Sequence, residues 1–403
     1  MANLLWGKVF YKDDYAGILQ EEPGDRFSFT YDKYYLESKS PAISHLLPKQ
    51  EEAHISQNGL HPFFDNLVAE GWLEEAQSRL IGKRGARRFE LLLAFGNDLA
   101  GAVSVIDPEP SNLTDKLIEA HETKAFAVLK GRASLSGVQP KLAAIKKRGI
   151  YYPAKIGDLS TYIIKFPSPD HDDLVTNEYL TTLAFKALLP KEEIVDIEIG
   201  SADGFDEQAL IIKRFDRDEK EGRIHFEEFN QLLNYKSHHK YDAAYKDMSS
   251  FMLNSKKCIP AENYRLYLRI LAGILLGNTD MHLKNFAMFH TKNSLKLTPS
   301  YDQVGASIYK YKTLALKVNN VRDLNISSLK PIHLIKLGEE FDLSPDVINM
   351  TVKTLEKNLE AAKDAFSEAK LGSESLKQKL IKNIGARWNV SYSLIGKKLS
   401  EQQ

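Results

Sequence analysis

Cysteine is nearly missing from this chain. Of 403 residues only Cys258 is one, which excludes an intramolecular disulfide and any cysteine-rich zinc site. It reads as a small buried apolar residue in a protein of a reducing compartment. Net charge is missing too: 54 basic side chains offset 54 acidic ones. No global field therefore draws the protein onto nucleic acid or an anionic membrane, and any DNA contact must be local or supplied by a partner. Nor does any apolar run approach the roughly 18 residues needed to span a bilayer. The start, MANLLWGKVFYKDDYAG, carries acidic residues too early for a secretory signal. Internal repeats and low-complexity tracts are absent as well. With 43% hydrophobic residues, the chain is expected to be globular and cytoplasmic, with length for two or three domains.

What is present is punctuated in three parts. In residues 1–125, short strand-like runs (LLWGKVFY, FSFTYD, AGAVSVIDP) alternate with turns, and helices are expected around FFDNLVAEGWLEEAQSRLI and RRFELLLAFG. This predicts an α+β module, closed by the polar stretch Ser111 to Lys124 after Pro108 and Pro110. In residues 126–230, KLAAIKKRGIYYPAKI reads as a hairpin, TYIIKFP as a strand, NEYLTTLAFKALL as a helix and EQALIIKRFDR as another strand. A strand carrying a lysine, then a helix, then a strand is the arrangement of a kinase small lobe. Residues 231–403 are expected to form a helical lobe. IPAENYRLYLRILAGILLGN puts Tyr264, Tyr267, Leu268, Leu271, Ile274 and Leu275 on one helical face. Near the end, Ser344 and Pro345 start a helix through Ile348, Val352, Leu355, Leu359, Ala362 and Phe366, read as half of an intramolecular hairpin. Its second helix runs from Ser375 after a stop at Gly372.

Chemistry is concentrated in GNTDMHLKN, directly after the long apolar helix. Asp280 and Asn285 stand in D-x-x-x-x-N spacing, in which phosphotransferase loops place a base that accepts a hydroxyl proton and an amide that reaches a metal. Alone, Asp280 would pass for a helix-terminal turn residue. Asp302 in KLTPSYDQVGA adds a second carboxylate, so that one amide and two carboxylates supply the hard oxygens magnesium prefers. Lys165 in STYIIKFPSP lies in an apolar strand, where phosphate would compensate its charge and solvent is the alternative. Glu178, opening the following helix, is a candidate partner for it. GRASLSGVQPKLAA precedes that strand where a phosphate-cradling loop belongs, although it matches neither G-x-G-x-x-G nor a Walker A pattern. His282 is placed to touch phosphates or orient Asp280, whereas His238 and His239 read as solvated.

Taken in order, ASLSGVQPK, YIIKFP, TNEY, IKRFDR, GNTDMHLKN and SYDQVGA resemble the HipA family of serine/threonine kinase toxins. HPFFDNLVAEGW and FGNDLAGAVSV resemble the amino-terminal module of full-length members. The resemblance implies an atypical two-lobed, protein-kinase-like α+β fold with an extra N-terminal subdomain and an all-helical C-terminal lobe. It implies a kinase using ATP and Mg2+, held by a HipB-like helix-turn-helix antitoxin dimer and reaching operator DNA mainly through it. The expected substrate is a serine of an aminoacyl-tRNA synthetase, most typically the glutamyl enzyme, and the outcome is arrested translation and persistence. Carried onto this sequence, Asp280 is the base, and Asn285 and Asp302 hold the metal. The nucleotide would meet Ser136, Gly137, Val138, Gln139, Pro140, Lys141, Lys165, His282, Leu283, Lys284, Asn285 and Tyr301, with a hinge at Glu227, Glu228 and Phe229. Ser134 resembles a site of autophosphorylation that expels the loop and switches the enzyme off, with Ser136 as the other candidate. Pro140 stands where members often carry Glu and costs the loop one N–H donor. Two other readings stay open: a non-catalytic corepressor of kinase shape, and a small-molecule kinase.

Overall fold

The computed structural model of the protein describes residues 4–108, 139–155, 157–292 and 294–401. The polar stretch expected to close the first module, and Ser134, Ser136, Gly137 and Val138, lie outside the described residues. The chain divides into two compact units, Met1–Asp170 with Gly200–His238, and His171–Ile199 with His239–Gln403.

In the first unit, one antiparallel sheet orders His54–Ser56, Arg26–Tyr31, Asp14–Glu22, Trp6–Tyr11 and Val103–Ile106 as successive neighbours. The strands Trp6–Tyr11, Arg26–Tyr31 and Val103–Ile106 sit on the three runs expected from the sequence. Asp14–Glu22, paired on both sides, was not expected. Gly17 permits that pairing, because a Cβ there would lie 2.1 Å from Thr30 O. Val9, Phe27, Phe29 and Val105 turn into a core shared with Phe89 and Leu92 of helix Arg88–Phe95. The helix expected over FFDNLVAEGWLEEAQSRLI is two helices, Pro62–Asp65 and Trp72–Leu80. Asp65 is drawn inward where the first one ends, accepting from Arg88 Nε at 2.5 Å and Ser237 N at 2.8 Å. The chain restarts at Gly71, whose φ of 56° few other residues tolerate.

A second sheet in the same unit sets Ile150–Pro153, Lys141–Lys147, Tyr162–Lys165 and Ala209–Lys213 side by side, antiparallel throughout. The expected hairpin turns at Arg148 and Gly149, both at positive φ. Trp72 and Ala76, from the helix Trp72–Leu80, pack against Ala144, Ile164, Phe166 and Ile211 of this sheet region. A buried ionic cluster adds a second tie between early residues and this sheet. Arg214, Arg217 and Arg223 meet Asp98 and Asp216 there.

The second unit is mainly helical among its described residues, and its hairpin, Ala287–His290 with Leu295–Leu297, follows the polar loop. Helix Pro260–Leu276 runs through its centre, and nearly every residue from Leu266 onward is buried. Pro260 occupies the first turn, where its missing N–H costs nothing. Arg269 anchors the helix to Glu192 Oε2 and to Thr298 O, both at 2.6 Å. The helix expected through Phe366 breaks at Asn358 into Pro345–Lys357 and Leu359–Ser367. Asn358 donates from its amide to Leu188 O at 3.0 Å, so its side chain serves a neighbouring helix end. The second arm is Glu374–Val390, capped by Ser373, with Gly372 at φ 90°. Cys258 is half-buried rather than fully enclosed, and burial pushes its thiol pKa up. Among the described residues no helix is long and apolar enough to cross a membrane.

Candidate active site

Helix Pro260–Leu276 delivers the chain to the polar loop through Gly277, whose φ of 88° is left-handed. No side chain fits there, since a Cβ would lie 2.3 Å from Ser307 Oγ and 2.8 Å from Arg387 Nη2. Arg387 Nε donates to Leu275 O at 2.7 Å, which places a cation against the negative end of the helix. Burial pulls the Arg387 pKa down to about 10.

The next residue, Asn278, is fully buried and joins two segments. Its Oδ1 accepts from Asp280 N at 3.1 Å, while its Nδ2 donates to Asp302 O at 3.1 Å and Gln303 Oε1 at 3.4 Å. Tyr301 adds a further stitch by donating its hydroxyl to Lys284 O at 2.8 Å. The segments 280–285 and 301–303 therefore lie side by side. Asp302 holds φ 57°, in the left-handed region that glycine, asparagine and aspartate enter more readily than other residues.

Inside the loop, His282 N and Asn285 Nδ2 both donate to Asp280 O, at 2.9 and 2.8 Å. That bond commits the nitrogen end of the Asn285 amide and leaves Oδ1 as the end able to face a cation. With the Asp302 carboxylate it would offer hard oxygens of the kind Mg2+ prefers. The Asp280 carboxylate is met by Tyr241, whose hydroxyl donates to Oδ1 at 2.9 Å. Its negative charge is felt nearby: burial first, and then Asp280, push the Tyr245 hydroxyl pKa well up. His282 is buried, with its ring edge-on to Tyr241 at 5.0 Å between centroids.

In the first unit, strand register brings two of the expected cations together. Lys141 is directly opposite Lys165 on adjacent antiparallel strands, so both side chains leave the same face of the sheet. Like charges paired in this way repel each other, and a polyphosphate on that face would offset the repulsion. The start of the strand is held by Phe166 N donating to Pro140 O at 2.8 Å and by Gln139 Nε2 donating to Phe166 O at 3.1 Å. Pro140 thus takes part in the ladder through its carbonyl, the one backbone group it can offer.

Two profiles of known families match this chain: the HipA N-terminal domain over residues 7–106 and the HipA-like C-terminal domain over residues 133–363. The chain belongs to the HipA family of kinase toxins. Relatives include Y4dM of Sinorhizobium fredii, 30% identical over 356 residues that cover 82% of this chain and 85% of that protein. The serine/threonine-protein kinase toxin HipA of Shewanella oneidensis is 28% identical over 337 residues, covering 75% of each chain. Among solved structures, the fold matches a chain from the Shewanella oneidensis MR-1 complex of HipA, HipB and operator DNA. That match has a TM-score of 0.79 at 21% identity and covers 97% of this chain and 99% of that one.

For this HipA-family chain, the structure brings together the sequence-derived residues Asp280, His282, Leu283, Lys284, Asn285, Tyr301 and Asp302. Of these, Leu283 is fully buried, and its N–H donates to Lys240 O at 3.2 Å. Glu178 lies buried on helix Leu174–Leu188. Phe229 is fully buried at the start of helix Phe229–Leu232, so its ring is not an exposed apolar surface. The Glu227 carboxylate accepts from Ser44 Oγ at 2.6 Å and His45 N at 2.7 Å, an anchor for the early chain. Glu228 N donates to Gln231 Oε1 at 2.9 Å in a capping arrangement. His239, read as solvated, is half-exposed and paired with Asp242 at 2.6 Å. Asn278, Gln303 and Tyr241 were missed. Asn278 had a faint signal as an amide directly after a helix-stopping glycine, whereas Tyr241 had none in local spacing.

Proposed function

We propose that this protein is an Mg-ATP-dependent serine/threonine protein kinase that serves as the toxin of a type II toxin–antitoxin pair. Asp280 accepts the proton of the attacking serine hydroxyl, Asn285 and Asp302 hold Mg2+, and Lys165 with Lys141 beside it meets the phosphates. Bound Mg2+ supplies neutralisation of charge on the transferred phosphoryl group. The observation that carries this reading is the junction at Asn278, which fixes the backbones of Asp280 and Asp302 relative to one another. A base and a metal carboxylate held by one buried amide suit a reaction whose catalysis is mostly positioning and charge neutralisation.

The acceptor is a serine of an aminoacyl-tRNA synthetase, with glutamate–tRNA ligase the first to try. Self-modification at Ser134 would place about −1.5 to −2 charges beside the nucleotide loop and switch the enzyme off. A helix-turn-helix antitoxin dimer restrains the toxin, and together they repress at an operator. Support for the partner comes from likeness in fold to the HipA chain solved with HipB and operator DNA. The experiment is transfer of labelled γ-phosphate from ATP to purified glutamate–tRNA ligase and to the protein itself. Asp280→Asn should abolish transfer while leaving the fold intact. Undiminished labelling by that variant would refute the assignment.

A further inference from the structure

The backbone of Asp280 is fixed from both sides by its own loop, through Asn278 Oδ1 at its N–H and through His282 N and Asn285 Nδ2 at its carbonyl. Those bonds decide where the residue sits. They do not decide which way its carboxylate turns, since rotation about the side-chain bonds leaves them untouched. A general base must aim one particular oxygen at the proton it takes.

Tyr241 supplies a constraint of that kind from outside the loop. Its hydroxyl donates to Asp280 Oδ1 at 2.9 Å, a bond to the carboxylate itself. Tyr241 is itself pinned: its ring lies edge-on to His282, and Lys240 Nζ sits 5.6 Å from the ring centroid. The backbone of the preceding residue is strapped to the loop by Leu283 N donating to Lys240 O at 3.2 Å. On the other flank, Asp242 is held by His239 at 2.6 Å and Arg322 at 2.8 Å. The phenol is 41% exposed, so the base it touches lies at a surface that a macromolecular acceptor can reach.

We propose that Tyr241 is a positioning residue for phosphoryl transfer, its hydroxyl holding the Asp280 carboxylate in the orientation that meets the acceptor hydroxyl. The inference rests on the kinase reading and deepens it. Tyr241→Phe keeps the ring against His282 and removes only the hydroxyl, whereas Tyr241→Ala removes both. The full-length variants and wild type are compared for kcat and for KM of ATP, with labelled phosphate incorporated into glutamate–tRNA ligase and into the protein itself, and melting is followed in parallel. Both variants should lose about tenfold or more in kcat, the penalty of a misaimed catalytic group, with KM for ATP and melting temperature unchanged. Wild-type kcat in Tyr241→Phe with a loss confined to Tyr241→Ala would make the ring a packing element and overturn the proposal. So would a loss that appears in KM or in melting temperature. If wild type itself transfers no phosphate, the kinase reading falls and takes this inference with it, whereas transfer that is lost in Asp280→Asn but intact in Tyr241→Phe sinks the inference alone.

Discussion

Replacing Asp216 with alanine removes the centre of the buried ionic cluster. The carboxylate accepts from Arg214 Nε at 3.0 Å, Arg214 Nη2 at 2.8 Å, Arg217 Nη1 at 2.8 Å and Gly101 N at 2.8 Å. Both arginines are almost wholly enclosed, so solvent cannot take over when the carboxylate goes. Asp98 alone would then face Arg214, Arg217 and Arg223, and it already accepts from Ser160 Oγ at 2.5 Å. Breaking a buried pair by removing one partner costs about 3–5 kcal/mol, because the remaining charge stays buried. The orphaned Gly101 N–H adds about 1–3 kcal/mol. A loss of roughly 4–8 kcal/mol is comparable with the entire stability of many domains, about 5–15 kcal/mol.

Urea unfolding would read that loss, with hydrogen exchange to locate it. Protection should fall first at Tyr162–Lys165 and Ala209–Lys213, because Arg214 N donates to Thr161 O at 3.0 Å at the edge of that strand pair. The double variant Arg214→Met with Asp216→Leu should lose less than Asp216→Ala, since it leaves fewer unpaired charges behind. The pH dependence follows from the same contacts. Burial alone would raise the Asp216 pKa, but Arg214 and Arg217 outweigh it and hold the group below its ordinary value. A depressed carboxyl contributes stability above its unfolded pKa of about 3.9 and loses it as pH falls through the folded value. Acid unfolding of wild type should therefore steepen below about pH 4, and Asp216→Asn should flatten that limb. Unfolding of Asp216→Ala within about 0.5 kcal/mol of wild type would refute the reasoning, since a change that small is typical of surface sites.

Two more outcomes test the site. Asn278→Ala strips the partner from Asp280 N and Asp302 O, so stability should drop by roughly 2–4 kcal/mol, with kcat falling further than in any variant that merely melts at the same temperature. Melting curves matched with single-turnover transfer would check this. Lys165→Met and Lys141→Met should each weaken ATP binding measured by calorimetry at low salt, and the double variant should lose less than the sum of the two, because each removal relieves repulsion felt by the other.

Local pattern carried the parts of this protein that are locally caused. Helix Pro260–Leu276 is legible because its apolar residues recur at helical spacing and a glycine ends it, and the D-x-x-x-x-N loop is legible because both residues serve one turn of chain. The strand Asp14–Glu22 was not, because Ala16, Gly17 and its acidic end are poor strand formers. What makes it a strand is hydrogen bonding to neighbours on both sides, together with the close approach at Gly17 that favours the smallest residue. Asn358 interrupts an apolar pattern that continues unbroken on either side, for the sake of a carbonyl on a distant helix. The site divides along the same line. Asp280, Asn285 and Asp302 announce themselves by residue type, but the residues that aim and brace them, Tyr241, Asn278 and Gln303, act across separations at which no periodicity survives. Residue type is thus legible before contact, and bracing residues are where substitutions should alter rate without altering the motif.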